Sequence, residues 1–127
     1  MIHDAGINPM SLDWHHFVIA DDGSATIGIG QVKQHGDGSR ELASIAVIPE
    51  RRGQGIASEI IHHLLAKESG VIYLTCRNQL ETFYNRFGFR RIDRAEMPPY
   101  FRRIIRFANI FMPLMRSGVK IIVMKKG

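Results

Sequence analysis

Short apolar runs separated by turn residues make up the first third of the chain. Three of these runs predict β-strands, at residues 17–20, 25–32 and 41–48. The turn Asp21-Asp22-Gly23 between the first two strands is typical of a hairpin. A second polar turn, at residues 35–39, leads into the third run, which stops at Pro49. These segments predict an antiparallel meander.

Beyond Gly55 the spacing of apolar residues changes from that of a strand to that of a helix. Apolar positions recur in an i, i+1, i+4, i+5 pattern, at Ile56, Ala57, Ile60, Ile61, Leu64 and Leu65. Lys67 in the last turn and Gly70 just beyond it fit a helix C-terminus. Similar reasoning predicts strands at 71–76, 89–92 and 119–124, and helices at 9–16, 80–87 and 100–112, the last ended by Pro113.

This order of elements predicts the fold class. A meander followed by alternating strands and helices indicates an α/β or α+β arrangement, in which a mixed, mostly antiparallel sheet is flanked by helices. The length of 127 residues fits one domain, and no linker-like stretch divides it. We therefore expect a single domain over residues 1–127.

Composition excludes several classes of protein. The chain is 45% hydrophobic and 23% charged, which is typical of a soluble globular protein. It has no apolar run of about 18 residues, so we expect no membrane span. No signal peptide opens the chain, and its single cysteine excludes an internal disulfide framework and a cysteine-based zinc site. We expect a cytoplasmic protein with no metal.

The net charge of +5 is unevenly distributed. Residues 1–85 hold 6 basic and 10 acidic side chains, net −4, whereas residues 86–127 hold 11 basic and 2 acidic ones, net +9. A basic face can attract an anionic partner, but arginines scattered among apolar residues are more typical of a solvated face. No stacking platform of aromatic residues accompanies the charge, so we expect no nucleic acid among the partners.

A glycine-containing loop lies between the third predicted strand and the strong helix. Free N–H groups at a helix start, together with the positive end of the helix dipole, form an anion site. Gly53 and Gly55 let the backbone approach an anion closely, and Arg51 and Arg52 add positive charge. The alternative is an ordinary turn between a strand and a helix.

Two common nucleotide motifs do not fit this loop. A Walker loop requires Lys and then Ser or Thr after its second glycine, where this chain has Ile56-Ala57. A dinucleotide-binding loop requires an acidic residue about 20 positions further on. Arg77 and Asn78 stand there instead.

Two motifs resemble the GNAT superfamily of N-acetyltransferases. Arg52-Gly-Gln-Gly-Ile-Ala57 resembles the family's Arg/Gln-x-x-Gly-x-Gly/Ala motif, and Phe83-Tyr-Asn-Arg-Phe-Gly-Phe89 resembles its Tyr-x-x-x-Gly-Phe signature. The resemblance extends from about Phe17 to Ile92. It implies a GNAT-type acyl-CoA N-acyltransferase fold. It also implies transfer of acetyl from acetyl-coenzyme A to a primary amine, by direct attack in a ternary complex.

The resemblance also implies a donor-binding set. The coenzyme A pyrophosphate would contact the loop residues Arg52, Gly53, Gln54, Gly55, Ile56 and Ala57. In the family the preceding strand splays from its neighbour and pairs with the pantetheine arm, a role that falls on Ile45, Ala46, Val47 and Ile48. Side chains of these strand residues are expected to pack in the core at the same time. Recognition through the backbone implies that the side chains at 54, 56 and 57 matter by their size.

Two catalytic residues are implied in the same way. Tyr84 resembles the tyrosine that protonates the departing thiolate, which a phenol can do if it reaches the sulfur. Alternatively Tyr84 only completes an apolar stripe. Glu41 stands where part of the family has an acidic residue that deprotonates the amine. Alternatively Glu41 is an exposed carboxylate at a strand edge.

Asn78 and Cys76 have structural alternatives as well. Asn78 lies near a family asparagine that contacts the coenzyme, but we favour a helix N-cap that forms a capping box with Glu81. Cys76 is expected to be a small buried hydrophobe, since direct transfer needs no nucleophile.

The chain departs from the family pattern at both ends. Only 16 residues precede the first predicted strand, so elements that usually cover the acceptor side are expected to be missing or supplied by a partner chain. The helix at 100–112 is basic on one side and rich in Phe and Met, so it could contact a second copy or lie on a membrane. The acceptor is expected to be a small-molecule or peptide amine. An acetyl-CoA-binding protein with little transferase activity is the alternative function.

Overall fold

The structure is a computed structural model that describes residues 17–111 and 119–127. The strands are β1 (Phe17–Asp21), β2 (Thr26–Gln34), β3 (Arg40–Val47), β4 (Ile72–Arg77), β5 (Arg90–Ile92) and β6 (Ile121–Lys126). The helices are α1 (Ile56–Lys67), α2 (Glu81–Asn85) and α3 (Pro99–Phe111). Short 3₁₀ turns lie at Pro49–Arg51, Asn78–Leu80 and Arg94–Glu96. The predicted helix at 9–16 and the predicted helix end at Pro113 lie outside the described residues.

The strands form a mixed sheet in the order β1-β2-β3-β4-β6-β5. The pairs β1–β2, β4–β6 and β5–β6 are antiparallel, whereas β3 and β4 are parallel, with Glu41 opposite Tyr73. The predicted class, a mixed and mostly antiparallel sheet flanked by helices, is therefore confirmed. The last strand in sequence lies between β4 and β5.

The residues fall into two compact units. The first contains, among the described residues, 17–33 and 42–69, and the second contains 34–41, 70–111 and 119–127. The single domain remains a prediction. Within the described residues, no helix is both long and apolar enough to cross a membrane.

In the first unit α1 packs closely on β2. The predicted apolar stripe is buried at Ile56, Ile60, Ile61 and Leu64. A Cβ at Gly30 of β2 would lie only 2.6 Å from Cγ2 of Ile60, so the absence of a side chain there lets the helix approach the strand. The predicted hairpin is also present, and Asp22 stabilises its turn by accepting hydrogen bonds from the N–H groups of Ser24 and Ala25 (both 3.0 Å).

In the second unit α3 is anchored in the core by Phe101 of its first turn. Phe101 is fully buried and packs with Ile92, Met97 and Val123. The N–H of Tyr100 donates to Oδ2 of Asp37 (3.0 Å), in the turn between β2 and β3. Both contacts hold the start of α3 in place. Its later residues Phe107, Ile110 and Phe111 are exposed.

The aromatic stripe at 80–87 forms a shorter helix than its spacing predicts. Only Glu81–Asn85 is α-helical, preceded by a 3₁₀ turn, and the N–H groups of Arg86, Phe87 and Gly88 close tighter turns on the carbonyls of Phe83, Tyr84 and Asn85. Gly88 then adopts a φ of 91°, which ends the element before β5.

Candidate active site

The loop between β3 and α1 presents unpaired N–H groups. After the 3₁₀ turn Pro49–Arg51, Gly53 and Gly55 adopt φ angles of 78° and 81°, and α1 begins at Ile56. Gly55 has no side-chain cap, and Glu59 is the residue whose N–H reaches back to the Gly55 carbonyl (3.1 Å). The N–H groups at 56, 57 and 58 therefore have no acceptor within the helix. Such N–H groups, together with the helix dipole, are suited to binding an anion.

The same loop is open to solvent. Gly53, Gln54 and Gly55 are exposed, and a Cβ built on either glycine would meet nothing within 4 Å. Positive φ angles, rather than lack of space, therefore explain the two glycines. The loop is therefore accessible to a ligand from solvent, and phosphate oxygens can accept hydrogen bonds from N–H groups at a helix start.

Two arginines hold the loop in this shape. Arg51 donates from Nη1 to Oδ2 of Asp22 and from Nε to Oε1 of Gln54, both at 3.0 Å. Arg52 donates from Nε to the carbonyl of Val47 (3.1 Å). Both side chains thus position the backbone as well as adding positive charge.

Asp22 is the partner of Arg51 in the first unit. Its pKa is lowered to about 2, chiefly because its carboxylate accepts backbone and side-chain hydrogen bonds from Ser24, and then by Ala25 and the charge of Arg51. It is ionised at neutral pH, so the loop and the β1–β2 turn are linked by a salt bridge.

The end of β3 is irregular. Ser44 has a φ of 59°, which is uncommon for a residue with a side chain, and its Oγ accepts a hydrogen bond from Nε2 of Gln31 (2.9 Å). Beyond it Ala46 and Ile48 are exposed, while Ile45 and Val47 are partly buried, so the expected packing holds for only part of this segment. The N–H of Ile48 donates to the carbonyl of Ile27 (2.9 Å). The splay of this strand remains a prediction.

Glu41 is buried, so the alternative of an exposed edge carboxylate is wrong. Its side chain belongs to the second unit and only 8% of the residue is exposed. Oε1 of Glu41 lies 2.7 Å from Nε2 of His35. A buried carboxylate is stable only with such a partner.

Tyr84 lies on α2, half-buried among aromatic rings. Its ring contacts Phe83 edge-on, with centroids 5.0 Å apart, and Phe89 with centroids 6.2 Å apart. Burial, and to a lesser extent the nearby Cys76, raise the pKa of Tyr84. The phenol therefore retains its proton at neutral pH, as a general acid must.

Asn78 does not cap α2, so the predicted capping box is wrong. Its Oδ1 accepts a hydrogen bond from the N–H of Lys120 (3.0 Å), and its own N–H donates to the Lys120 carbonyl (2.8 Å). Glu81 instead faces Arg91, with Oε1 3.6 Å from Nη1. The side-chain oxygen and the backbone N–H of Asn78 thus link the end of β4 to the segment before β6. The sequence pattern does not reveal this link.

Cys76 is buried as predicted. Burial raises the pKa of its thiol to about 11, so the thiol is protonated at neutral pH. Its Sγ lies 3.9 Å from Sδ of Met124. No group of three or more His, Cys, Asp or Glu side chains that could hold a metal ion occurs within 17–111 and 119–127.

The predicted site residues thus form separate groups. In the first unit the bond from Arg52 to Val47 joins the loop to the end of β3. In the second unit Glu41, Asn78 and Tyr84 each have their own partners, and in the part of the chain that the structure describes no hydrogen bond joins them. The sequence analysis missed His35, the partner of Glu41. The available signal was its position, because residues that flank a tight turn face each other across neighbouring strands.

Comparison with known proteins identifies the type of domain. A family model described as an acetyltransferase (GNAT) domain matches residues 13–91, which is more than half of the chain. A sequence search of curated proteins finds no significant match.

Solved structures with a similar fold include N-acetylglutamate synthase from Neisseria gonorrhoeae in complex with coenzyme A and N-acetyl-glutamate. It is 19% identical, with a TM-score of 0.65 over 87% of this chain and 25% of that one. Rv2747 from Mycobacterium tuberculosis, solved in complex with CoA, is 19% identical, with a TM-score of 0.62 over 87% and 75%. Escherichia coli ElaA is 14% identical, with a TM-score of 0.63 over 87% and 67%. The chain therefore spans a quarter of the synthase, and at these identities the likeness concerns the fold.

Proposed function

The chain belongs to the GNAT acetyltransferase family, and on this premise we propose that it transfers acetyl from acetyl-coenzyme A to a primary amine. The observation that carries the proposal is the uncapped start of α1 behind Gly53 and Gly55. Its open N–H groups supply what a diphosphate requires. The coenzyme A in two of the similar structures supports the same donor.

We assign donor binding to three segments. The N–H groups of residues 53–57, with the charge of Arg52, bind the diphosphate. The backbone of residues 45–48 pairs with the pantetheine arm as an added strand would. Asn78 is a further coenzyme contact, made by its side-chain nitrogen because Oδ1 is already bonded to Lys120.

The proposed reaction is a direct transfer within one ternary complex. When bound, the donor supplies an acetyl group activated as a thioester. N–H groups at the end of β3 polarise its carbonyl, and the protein holds the amine close to it. Glu41 accepts the proton that the amine releases as its nitrogen bonds to the acetyl carbon. Tyr84 donates its phenolic proton to the sulfur as the carbon–sulfur bond breaks.

The acceptor belongs to the class of small-molecule or peptide amines. The Neisseria synthase structure contains N-acetyl-glutamate, which supports amino acids as the first amines to test. Release of thiol should be measured with acetyl-coenzyme A and a panel of amino acids, small amines and peptides. Donor binding without thiol release for any amine would instead favour an acetyl-CoA-binding protein.

A charge placed in the loop tests the donor site. Gln54→Glu keeps the acceptor that Arg51 uses but adds a negative charge beside the N–H groups. We expect the Kd for acetyl-coenzyme A, measured by calorimetry, to rise about tenfold. Like charges about 4 Å apart near a protein surface repel by about 1–4 kcal/mol, and about 1.4 kcal/mol corresponds to a tenfold change in Kd.

A control for the added charge accompanies this variant. Asn109→Asp makes a comparable charge change on the exposed side of α3 and should have no effect. Wild-type affinity in Gln54→Glu would refute diphosphate binding at this loop.

We also propose that the protein is cytoplasmic, where a free thiol such as that of Cys76 stays reduced.

We further propose that two copies of the chain associate through α3. Phe107, Ile110 and Phe111 are 62%, 60% and 49% exposed, and the rings of Phe107 and Phe111 lie 4.4 Å apart. Such apolar patches favour protein contacts. Light scattering at micromolar concentration should give the mass of two chains, and Phe107→Ser should reduce it to one. A monomeric wild type would contradict this.

A further inference from the structure

A buried pair of titratable side chains lies beside the turn between β2 and β3. Nε2 of His35 and Oε1 of Glu41 are 2.7 Å apart, and both side chains are largely shielded from water. This hydrogen bond uses Oε1, one of the two carboxylate oxygens of Glu41. A carboxylate held through one oxygen presents the other as a base.

The His35 ring is held by aromatic neighbours. It stacks on Tyr100, with centroids 3.5 Å apart and planes 14° from parallel. The fully buried Phe101 meets it edge-on at 5.9 Å. The backbone N–H of His35 also donates to the carbonyl of Ser39 (2.9 Å). These contacts fix where Nε2 points.

Tyr100 is in turn held by the same turn. Asp37 accepts the Tyr100 N–H through Oδ2 and the Ser39 N–H through Oδ1. Its pKa is lowered to about 2, first by the Ser39 hydroxyl and then by the Tyr100 N–H. A continuous series of contacts therefore leads from α3 to the Glu41 carboxylate.

We propose that His35 is a positioning residue for Glu41 in the acetyl transfer. This inference rests on the proposed function, in which Glu41 accepts the amine proton. His35 donates Nε2–H to Oε1, which fixes the orientation of the carboxylate. The proton from the amine is transferred to Oε2, while His35 keeps its own proton throughout.

Two substitutions separate positioning from packing. His35→Phe keeps a flat ring to stack on Tyr100 but removes the donor, whereas the amide nitrogen of His35→Gln can still donate to Oε1. We expect kcat to fall about ten- to a hundredfold in His35→Phe, with KM for acetyl-coenzyme A unchanged. This is less than the roughly hundred- to ten-thousandfold contribution of a general base, because Glu41 itself is retained. His35→Gln should recover most of this loss. His62→Gln, at an exposed histidine of α1, should match the wild type.

A double variant tests whether His35 acts through Glu41. In a Glu41→Gln background, His35→Phe should cause little further loss of kcat, because residues that act as a unit are not additive. Equal losses of kcat in His35→Phe and His35→Gln, or fully additive losses in the double variant, would overturn the inference. If His35→Phe had wild-type kinetics, the role of His35 would be refuted and the proposed function would stand. If the wild type showed no turnover with any amine, the proposed function would be refuted as well.

Discussion

Tyr84 is the residue whose surroundings most clearly suit one chemical role, that of a general acid. Its ring is half-buried and burial raises its pKa, so the hydroxyl stays protonated at neutral pH. Apolar packing accounts for the aromatic ring but does not require a hydroxyl. Removing only the oxygen therefore separates the catalytic hypothesis from the packing one.

We predict that Tyr84→Phe lowers kcat about a hundredfold or more, the usual contribution of a general acid. The Kd for acetyl-coenzyme A should not change, because the ring and its contacts with Phe83 and Phe89 remain. Thiol release at saturating donor and amine measures the loss. Tyr73→Phe, another half-buried tyrosine with a raised pKa, is the matched control and should keep full activity. If kcat of Tyr84→Phe stayed within twofold of the wild-type value, the role of Tyr84 would be limited to packing.

Individual side-chain partners were the least predictable feature from sequence. Burial of Cys76 followed from its place in an apolar strand, but the partners of Glu41 and Asn78 did not. The side-chain oxygen of Asn78 could either cap α2 or bond to a distant segment. In the structure it accepts the N–H of Lys120, 42 residues further along the chain. Such choices depend on tertiary contacts that local spacing does not encode.

At the scale of elements, the contact between α1 and β2 depends on Gly28 and Gly30, since a Cβ at Gly28 would lie 2.9 Å from Cδ1 of Ile60. A Cβ at Gly30 would lie 2.6 Å from Cγ2 of Ile60 and 2.7 Å from Cδ1 of Ile45, closer than real Cβ atoms approach. The methyl of Ile60 is attached at its branch point, so it cannot move away freely. The strand and helix therefore tolerate little added volume.

We predict that Gly30→Ala lowers the free energy of unfolding by about 1–3 kcal/mol, the usual cost of overpacking a core. Urea denaturation followed by circular dichroism measures this. Gly36→Ala is the matched control, since a Cβ there meets nothing within 4 Å, and it should change stability by less than about 0.5 kcal/mol. Equal effects of the two substitutions would show that the packing of α1 on β2 is looser than described.

Regular elements were predictable because their signals are local. The β1–β2 hairpin follows from its turn residues, and α1 follows from its apolar spacing and from Gly55. The length of α2 was not predictable, because the aromatic spacing continues through turns that are not α-helical. The positive φ of Ser44 and the position of β6 between β4 and β5 depend on pairing between distant segments.

At the scale of the whole molecule, each unit has one turn held by an ionised aspartate. Asp22 serves the first unit and Asp37 the second, and hydrogen bonds lower the pKa of each to about 2. A carboxylate whose folded pKa lies below its unfolded value stabilises the fold above the unfolded pKa, and the stabilisation disappears as the pH falls through the folded pKa.

We therefore predict that stability declines between about pH 4 and about pH 2, the window between the usual aspartate pKa and the lowered one. Asp22→Asn and Asp37→Asn should each have a lower Tm than wild type near pH 6, and the difference should shrink towards pH 2. Thermal melts across this range test both variants. A difference in Tm that is constant with pH would mean that the charge of the carboxylate is not what stabilises the turn.

The uncapped start of α1 has an energetic consequence for the free protein. A helix start without a side-chain cap lacks the stabilisation that such a cap gives, typically about 1 kcal/mol. Under the proposed function, donor at a hundred times its Kd adds about 2.7 kcal/mol through mass action. The fraction of folded molecules would then depend on the concentration of acetyl-coenzyme A. As that concentration falls towards the Kd, most of this stabilisation would be lost, and with it protection from degradation, while a large part of the donor sites would still be occupied.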